Sequence, residues 1–466
     1  MFRQTMFKKI VSALMSSAMV LAFLVALTTY HTPVLAATSE PELWAVIVGV
    51  TEYQCPSCMY DQEWNKYPVG IKYPDDDARD LAAQLEPIAG EDHIKVVLND
   101  QATNSGIYYA VKWLAENAGP EDTAIFYFSG HSAPHYFGSY DYFVSDLQMG
   151  EWMDTVHAKK VVLIMDTCFS GSFRNELGTN GRVLLMSCQP FESSLEDTEF
   201  KNGVFTYYVL QALNDFSSTD INSNYELSAK EIFDYASPKT AEEIVQPYAN
   251  QAANSDMQHP TFYISPTIFG EINLLMKVTV HSGANQNADS PILSIDGKSY
   301  LPKEVPASFT WLSGTSHVLE VPRYVNAGDG TRLAFSGWSD GVSSSSRSIS
   351  RGGDYTAEYA TQYELSFDSP YGDPRGHGWY DSGSSAYISV DPLSGGIIRH
   401  NFIGWSGDFT GQDTTATITM DKNKRIKVDW QNDYLRLILL MAAIAVVSGG
   451  IVAGIMWRRK NTQQEV

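Results

Sequence analysis

A histidine and a cysteine follow two similar apolar runs, and they are the residues in this sequence best suited to chemistry. Residues 124–128 are apolar and His131 comes three positions after them, while residues 161–165 are apolar and Cys168 comes three positions after them. Short, continuous apolar runs of this kind predict buried strands. Because open α/β sheets bind ligands at the carboxyl ends of their strands, we expect both residues at one edge of one sheet. A thiol nucleophile needs a nearby imidazole to accept its proton, so the pair predicts nucleophilic catalysis.

The elements that must position these two residues alternate between strands and helices. Predicted strands are Trp44–Val50, Ile94–Leu98, the two runs above and Arg182–Met186; a hairpin is predicted around Tyr136–Val144; predicted helices are Asp76–Leu85, Asn104–Glu116 with Asn104 as its cap, and Val204–Leu213. Strands that alternate with helices predict an α/β fold with a mostly parallel, doubly wound sheet.

The segments around the two residues carry a family resemblance. FSGH, ending at His131, and DTCFSGS, containing Cys168, resemble the catalytic motifs of caspase-like cysteine peptidases, the group of metacaspases, legumains, gingipains and clostripain. The first strand, WAVIVGV, and the segment YPDDDARDL (Tyr73–Leu81) fit the same group, and the resemblance covers roughly residues 43–266. It implies a caspase-like three-layer sandwich and a cysteine endopeptidase that works with a Cys-His pair and no third orienting residue.

The same resemblance implies roles for individual groups. Cys168 would attack the scissile carbonyl as a thiolate, and His131 would take the thiol proton and later protonate the leaving amine. The backbone N–H groups of Ser132 and Cys168 would hold the oxyanion. Many relatives have glycine where this chain has Ser132, although the backbone donor is retained.

Two carboxylates, those of Asp77 and Asp166, bear on which substrate residue is recognised before the scissile bond. The similarity to metacaspases implies that Asp77 and Asp166 line the specificity pocket and accept Arg or Lys. Two neighbouring carboxylates favour a cation and repel an acidic side chain. The alternatives are that Asp166 caps a turn and Asp76 caps a helix, and that cleavage follows Asn, as in legumains. Basic specificity would make Arg174, Arg182 and Lys201 candidate self-cleavage sites.

A further polar segment has the spacing of a calcium loop of the EF-hand type. Asp220, Asn222, Asn224, Glu226, Ser228 and Glu231 occupy positions 1, 3, 5, 7, 9 and 12 of a twelve-residue stretch. Oxygen ligands at these positions are typical of Ca²⁺ binding, so calcium is the expected cofactor and no organic cofactor is expected. Tyr225 stands where glycine usually makes the sharp turn. The alternative is a polar loop that caps the next helix.

Composition narrows the partners and the compartment. There are 54 acidic and 32 basic residues, a net charge of −22, which disfavours nucleic acid and favours divalent cations or basic peptides. Cys55 and Cys58 could form a disulfide in an oxidising compartment. Cys188 follows a predicted strand and is interpreted as a small buried apolar residue.

The remaining segments predict a membrane-anchored, outward-facing protein. Residues 1–36 resemble a secretory signal, with an uncleaved anchor as the alternative. The peptidase domain is placed at 42–268, two β modules at 275–362 and 363–431, a transmembrane helix at 435–457 and a cytoplasmic tail at 458–466. The modules resemble internalin-type B repeats of prokaryotic surface proteins, with Trp338 and Trp405 as equivalent core anchors. Arg458, Arg459 and Lys460 place the C-terminus inside. An inactive surface-binding or adhesion protein is the alternative function.

Overall fold

The structure is a computed structural model that describes residues 40–54, 71–248, 258–284 and 290–462. The chain divides into two compact units: the first comprises the residues up to 276 with 311–315, and the second comprises residues 277–310 with those from 316 on. The predicted signal segment, residues 1–36, and the Cys55 and Cys58 pair lie outside the described residues.

In the described part of the chain, the first unit contains seven α-helices, which alternate with most of its strands. Its strands are β1 (Leu43–Gly49), β2 (Ile94–Leu98), β3 (Thr123–Ser129), β4 (Ser132–Ala133), β5 (Tyr136–Gly138), β6 (Phe143–Ser145), β7 (Lys160–Asp166), β8 (Arg182–Met186), β9 (Glu196–Asp197), β10 (Asn202–Gly203), β11 (Glu226–Ser228), β12 (Thr261–Ile264) and the first part of β13 (Asn273–Ser282). Its helices are α1 (Pro74–Ala89), α2 (Asn104–Asn117), α3 (Asp146–Met153), α4 (Arg174–Leu177), α5 (Val204–Asn214), α6 (Phe216–Thr219) and α7 (Ala229–Tyr248).

Six strands form the central sheet, in the order β12-β8-β7-β3-β1-β2. All neighbours are parallel except β12, which runs antiparallel to β8. Alternate strand residues face opposite sides: Val46 and Val48 pack with α2 and α3, whereas Ala45 and Ile47 pack with α1, α5 and α7. Both faces are therefore covered, which confirms the predicted three-layer α/β sandwich.

The predicted elements of this unit recur with small shifts at their ends. The hairpin predicted around Tyr136–Val144 corresponds to β5 and β6. The cap of α2 is Thr103, whose hydroxyl accepts the Gly106 N–H at 2.9 Å, so the prediction that Asn104 caps this helix is wrong by one residue. A threonine hydroxyl placed three residues before that N–H satisfies one of the free N–H donors in the first turn of the helix.

The second unit is built mainly from β-strands. From residue 290 on, the strands are β14 (Leu293–Ile295), β15 (Lys298–Tyr300), β16 (Ala307–Leu312), β17 (His317–Glu320), β18 (Tyr324–Asn326), β19 (Thr331–Trp338), β20 (Ser346–Ile349), β21 (Gly353–Asp368), β22 (Gly378–Asp381), β23 (Ser385–Ser389), β24 (Leu393–Ser394), β25 (Arg399–Gly407), β26 (Thr415–Thr419) and β27 (Lys424–Asp433). The boundary predicted between residues 362 and 363 falls inside β21, which is continuous through it.

Two tryptophans of this unit, Trp338 and Trp405, have matching surroundings. Trp338 lies at the end of β19, which is antiparallel to β21, and Trp405 lies in β25, which is antiparallel to β27. Each strand pair has a register shift just before the tryptophan. Trp338 is 2% exposed and Trp405 is 3% exposed, and each indole N–H donates to a carbonyl oxygen, of Ser344 at 2.9 Å and of Asp413 at 2.8 Å. The two side chains are core residues, as their repetition predicts.

The last element of the described chain is α8 (Leu435–Thr462). Within Leu435–Arg459, a stretch of 18 residues has a mean hydropathy of 2.5, and the side chains of that stretch are not buried by protein. This helix is long and apolar enough to cross a membrane.

Candidate active site

Strand register places the predicted catalytic residues at one edge of the sheet. β3 and β7 are parallel neighbours in which Ser129 is paired with Asp166. His131 and Cys168 each lie two residues beyond this last pair. Equal spacing after paired parallel strands brings the two loops together at the carboxyl edge, as the sequence predicts.

Hydrogen bonds to backbone carbonyl oxygens hold the His131 loop and the Cys168 loop together. The Thr167 hydroxyl donates to the Gly130 carbonyl oxygen at 2.6 Å, and the Ser132 hydroxyl donates to the Cys168 carbonyl oxygen. The His131 N–H donates to the Tyr53 hydroxyl at 2.7 Å. A Cβ on Gly130 would lie 2.8 Å from the Phe128 ring and 2.9 Å from the Tyr53 oxygen, so only glycine fits this approach. The residues on both sides of His131 therefore hold the loop that contains Cys168.

Cys168 lies in a strained and largely desolvated turn. Phe169, the next residue, has a φ of 56°, which is rare for an aromatic residue. Its N–H donates to the Glu192 carbonyl oxygen at 2.7 Å, and the Cys168 Sγ lies 3.7 Å from the Ser194 carbonyl oxygen. Burial raises the pKa of the Cys168 thiol. The sulfur is therefore held as a thiol next to the loop of residues 187–195.

Burial acts on the histidine in the opposite sense. Desolvation lowers the pKa of His131, because it disfavours the charged imidazolium. With the pKa of the thiol raised and that of the imidazole lowered, both groups are neutral at physiological pH. A neutral imidazole can accept a proton from the thiol, which is the protonation state that a general base requires.

The two predicted pocket carboxylates lie together behind this edge. Asp77, in the first turn of α1, is 1% exposed, and Asp166, at the end of β7, is 4% exposed. A Cβ built on Gly203 would be 2.5 Å from the Asp166 Oδ2 and 3.2 Å from the Asp77 Oδ2. Burial first, and then the charge of Asp166, raises the pKa of Asp77, and burial raises the pKa of Asp166.

Hydrogen-bond donors from the protein occupy these carboxylates. Asp77 accepts the Ser129 hydroxyl at 2.8 Å and the Gly203 N–H at 2.9 Å. Asp166 accepts the Ser194 hydroxyl at 2.5 Å, and its Oδ2 accepts the Thr206 N–H at 3.0 Å and the Thr206 hydroxyl at 2.7 Å. The segment 194–203 thus covers the acid pair in this conformation.

Sequence reasoning missed the residues that hold this covering segment. The Gln258 side chain donates to the Ser187 carbonyl oxygen at 2.9 Å and accepts the Leu195 N–H at 3.0 Å. Glu196 accepts the N–H groups of Lys72 and Tyr73, which precede α1. Ser194, Gln258 and Glu196 are isolated polar residues outside any motif, so no local pattern identified them.

One of the three candidate self-cleavage sites is wrong. Arg182 is 1% exposed because it is the first residue of an interior strand and forms an ion pair with Asp154. A protease cannot reach that backbone while the unit is folded. Arg174 and Lys201 are exposed.

The predicted calcium loop begins directly after α6 and ends in the first turn of α7. All six of its predicted ligands, Asp220, Asn222, Asn224, Glu226, Ser228 and Glu231, are described. Within the described ranges there is no group of three or more His, Cys, Asp or Glu side chains that could hold a metal ion. Any site in this loop would depend on amide, hydroxyl and main-chain oxygens as well.

Comparison with known proteins identifies the first unit. Residues 42–265 match the family model of the caspase domain, which supports a caspase-like cysteine peptidase. Among solved structures, the crystal structure of protein GSU0716 from Geobacter sulfurreducens is similar, with 14% identity over 49% of this chain and 95% of that chain and a TM-score of 0.36. No curated protein matches the chain.

Proposed function

We propose that the protein is a cysteine endopeptidase that cleaves protein or peptide chains after Arg or Lys. The observation that carries the proposal is the common register of His131 and Cys168 beyond the Ser129–Asp166 pair of parallel strands. The nucleophile and the base are thereby held on two loops that are hydrogen-bonded to each other.

The reaction follows from the resting protonation states. Cys168 transfers its proton to His131 as the sulfur attacks the scissile carbonyl carbon, and His131 returns that proton to the leaving amine. Water then hydrolyses the thioester, with His131 accepting the water proton and the thiol being regenerated. The backbone N–H groups of Ser132 and Cys168 are the proposed oxyanion donors.

Preference for a basic side chain is supported by the desolvated acid pair. Burial raises the pKa of both carboxyl groups, and a guanidinium or ammonium group of the substrate would favour their ionised form. An asparagine side chain could hydrogen-bond there but could not offset the charge. Since Gly203 and Ser194 occupy these oxygens, a substrate cation must displace segment 194–203.

The proposed location is the outer side of a membrane. The predicted signal at residues 1–36 would export the first unit, and Leu435–Arg459 would anchor the chain. Arg458, Arg459 and Lys460 would keep the tail inside. Protease protection of the tail in intact cells, with digestion of the first unit, would be the expected pattern; the reverse pattern would contradict the orientation.

Peptide cleavage by the full chain in detergent tests the activity. Cleavage of fluorogenic peptides that end in Arg, Lys, Asn or Asp is measured for wild type, for Cys168→Ala and for the matched control Cys188→Ala, which removes a buried thiol. We expect cleavage after Arg and Lys by wild type and Cys188→Ala alone. Cleavage after Asn alone would retain the enzyme and reject the basic pocket. No cleavage of any peptide would favour an inactive surface-binding protein.

A further inference from the structure

The loop from Asp220 to Glu231 takes no part in the proposed reaction, yet its oxygen atoms are organised around the inside of a turn. The Asp220 Oδ1 and the Asn222 Oδ1 both accept the Asn224 N–H, at 3.1 and 3.0 Å, and the Asp220 Oδ2 accepts the Tyr225 N–H at 2.9 Å. The Asn224 Oδ1 accepts the Glu226 N–H at 2.8 Å. The side chains at positions 1, 3 and 5 are therefore folded back over their own loop.

The one position at which the sequence departs from a calcium loop adopts the expected backbone. Tyr225, at the sixth position, has a φ of 63°, in the left-handed region that glycine usually supplies there. The tyrosine thus makes the same sharp turn at a steric cost of roughly 1–2 kcal/mol. The absence of glycine does not prevent the loop from having the geometry that its spacing predicts.

The second half of the loop is anchored in the first unit. Glu226–Ser228 forms β11, which pairs antiparallel with the start of β13, and Leu227 is buried. Ser228 and Glu231 then form a capping box: the Glu231 Oε2 accepts the Ser228 N–H at 3.0 Å, and the Ser228 hydroxyl accepts the Glu231 N–H at 3.2 Å. The carboxylate of Glu231 is thereby turned back onto the ninth residue of the loop.

The capping box accounts for only one oxygen of that carboxylate. Glu231 is 6% exposed, and its Oε1 is buried without a hydrogen-bond partner among the residues that the structure describes. A buried carboxylate oxygen without a donor is unfavourable, because it has lost water and gained nothing in return. A cation at the loop would satisfy it. This observation is independent of the sequence spacing.

We propose that this loop binds one Ca²⁺ ion. The ligands are the side-chain oxygens of Asp220, Asn222, Asn224, Ser228 and Glu231 and the main-chain carbonyl oxygen of Glu226. An all-oxygen set in a twelve-residue loop with a terminal glutamate favours Ca²⁺, whereas Zn²⁺ prefers nitrogen and sulfur ligands. With two carboxylates among the side-chain ligands, we expect weak binding, with a Kd of about 10⁻⁴–10⁻³ M.

Calcium titration of the full chain in detergent tests the site directly and does not depend on peptidase activity. The chain contains Cys168→Ala, so that self-cleavage cannot contribute heat. Calorimetry and thermal unfolding are compared for this chain, for a Glu231→Gln version and for an Asp220→Asn version. Glutamine can keep the capping box but removes the charged ligand, so the fold is preserved. Asp234→Asn is the control, because Asp234 lies on α7 beyond the last loop residue, and neither it nor its ion-pair partner Lys230 is a proposed ligand.

The proposal makes a clear distinction between these variants. The parent and Asp234→Asn should bind one Ca²⁺ and unfold a few degrees higher at 10 mM Ca²⁺ than in chelator. Glu231→Gln and Asp220→Asn should each bind at least tenfold more weakly and lose that shift. Absence of calcium heat in the parent, or equal binding by Glu231→Gln, would overturn the proposal. Equal shifts with Mg²⁺ and Ca²⁺ in every variant would assign the effect to the acidic surface and would also overturn it.

Discussion

The sheet edge of the first unit and the tryptophan sites of the second both bury polar atoms, but with opposite consequences. The indole N–H groups of Trp338 and Trp405 each have a carbonyl acceptor, and the rest of each side chain is apolar. Asp77 and Asp166 also have hydrogen-bond partners, yet their burial raises the pKa of both. A tryptophan stabilises the fold where it lies, whereas the acid pair destabilises it when ionised.

This difference separates residues whose burial stabilises the fold from residues whose burial opposes it. Desolvation favours the folded state for an aromatic ring and opposes it for a charge. Removing a tryptophan should therefore weaken the fold and leave catalysis intact, whereas changing a residue of the acid pair should strengthen the fold and damage recognition. The two regions should respond with opposite signs.

The largest effect is expected at the sheet edge itself. His131→Ala should lower the rate of peptide cleavage by about 10²–10⁴-fold, the usual contribution of a positioned general base. Its thermal stability should change little, since burial disfavours only the charged form of this imidazole. Cleavage kinetics and thermal unfolding of the full chain check both statements. Added imidazole should restore part of the rate to His131→Ala and none to Cys168→Ala; loss of folding in His131→Ala would assign it a structural role.

The tryptophan sites should show the converse. Trp405→Ala and Trp338→Ala should each destabilise the second unit by about 3–5 kcal/mol, because a large buried side chain leaves a cavity. Hydrogen exchange of peptides from β19 and β25 would report the loss, and cleavage of small peptides should stay unchanged. The exposed Tyr387→Ala in the same unit is the control. A tryptophan variant that keeps its protection would refute the core assignment.

The acid pair should show a gain in stability together with a loss of function. The raised pKa of Asp77 means that the folded state keeps a proton that the unfolded chain releases. Its stability contribution is complete below pH 3.8 and is lost as the pH rises through the folded-state pKa. Asp77→Asn should therefore stabilise the protein at pH 7 and flatten its pH dependence, while cleavage after Arg and Lys falls.

Thermal unfolding at pH 4 and pH 7 measures this change. The control is Asp76→Asn, whose carboxylate is half exposed beside Arg79 and should leave both stability and selectivity unchanged. An Asp77→Asn variant that is less stable at pH 7 would mean that the ionised carboxylate is held favourably, and the comparison between the two regions would fail.

The sequence predicts the parts of the molecule that repeat or alternate. Apolar runs ending near His131 and Cys168 predict neighbouring parallel strands, and the repeated tryptophan segments predict equivalent core positions; in both cases a periodic pattern extends over several residues. No such pattern predicted that segment 194–203 covers Asp77 and Asp166. Gly203, Ser194 and Gln258 act through contacts between residues distant in sequence. Glycine and polar residues in loops ordinarily indicate solvent-exposed turns, so their types alone did not predict these contacts.

Two local errors have different physical causes. Thr103 and Asn104 are both good capping residues, so the sequence alone does not determine which of them begins the helix. Arg182 begins a strand, where an arginine would ordinarily reach solvent, but the partner Asp154 lies on a different element and retains it inside. Calcium-loop spacing was visible in the sequence, whereas the unpartnered Oε1 of Glu231 required the structure.

The smallest effect concerns the resting thiol. Because burial raises the pKa of Cys168, its alkylation by iodoacetamide should be slow at pH 7 and should still increase beyond pH 9. Cys188, which is fully buried and whose pKa is raised to about 12, should not react in the folded protein. Mass spectrometry of the two peptides separates these thiols. His131→Ala should keep the same pH profile, since the imidazole is neutral over this range. A rate that levels off below pH 8 and requires His131 would instead indicate a preformed thiolate–imidazolium pair. The sheet edge would then stabilise the charged groups that it buries, just as the tryptophan sites stabilise their buried rings.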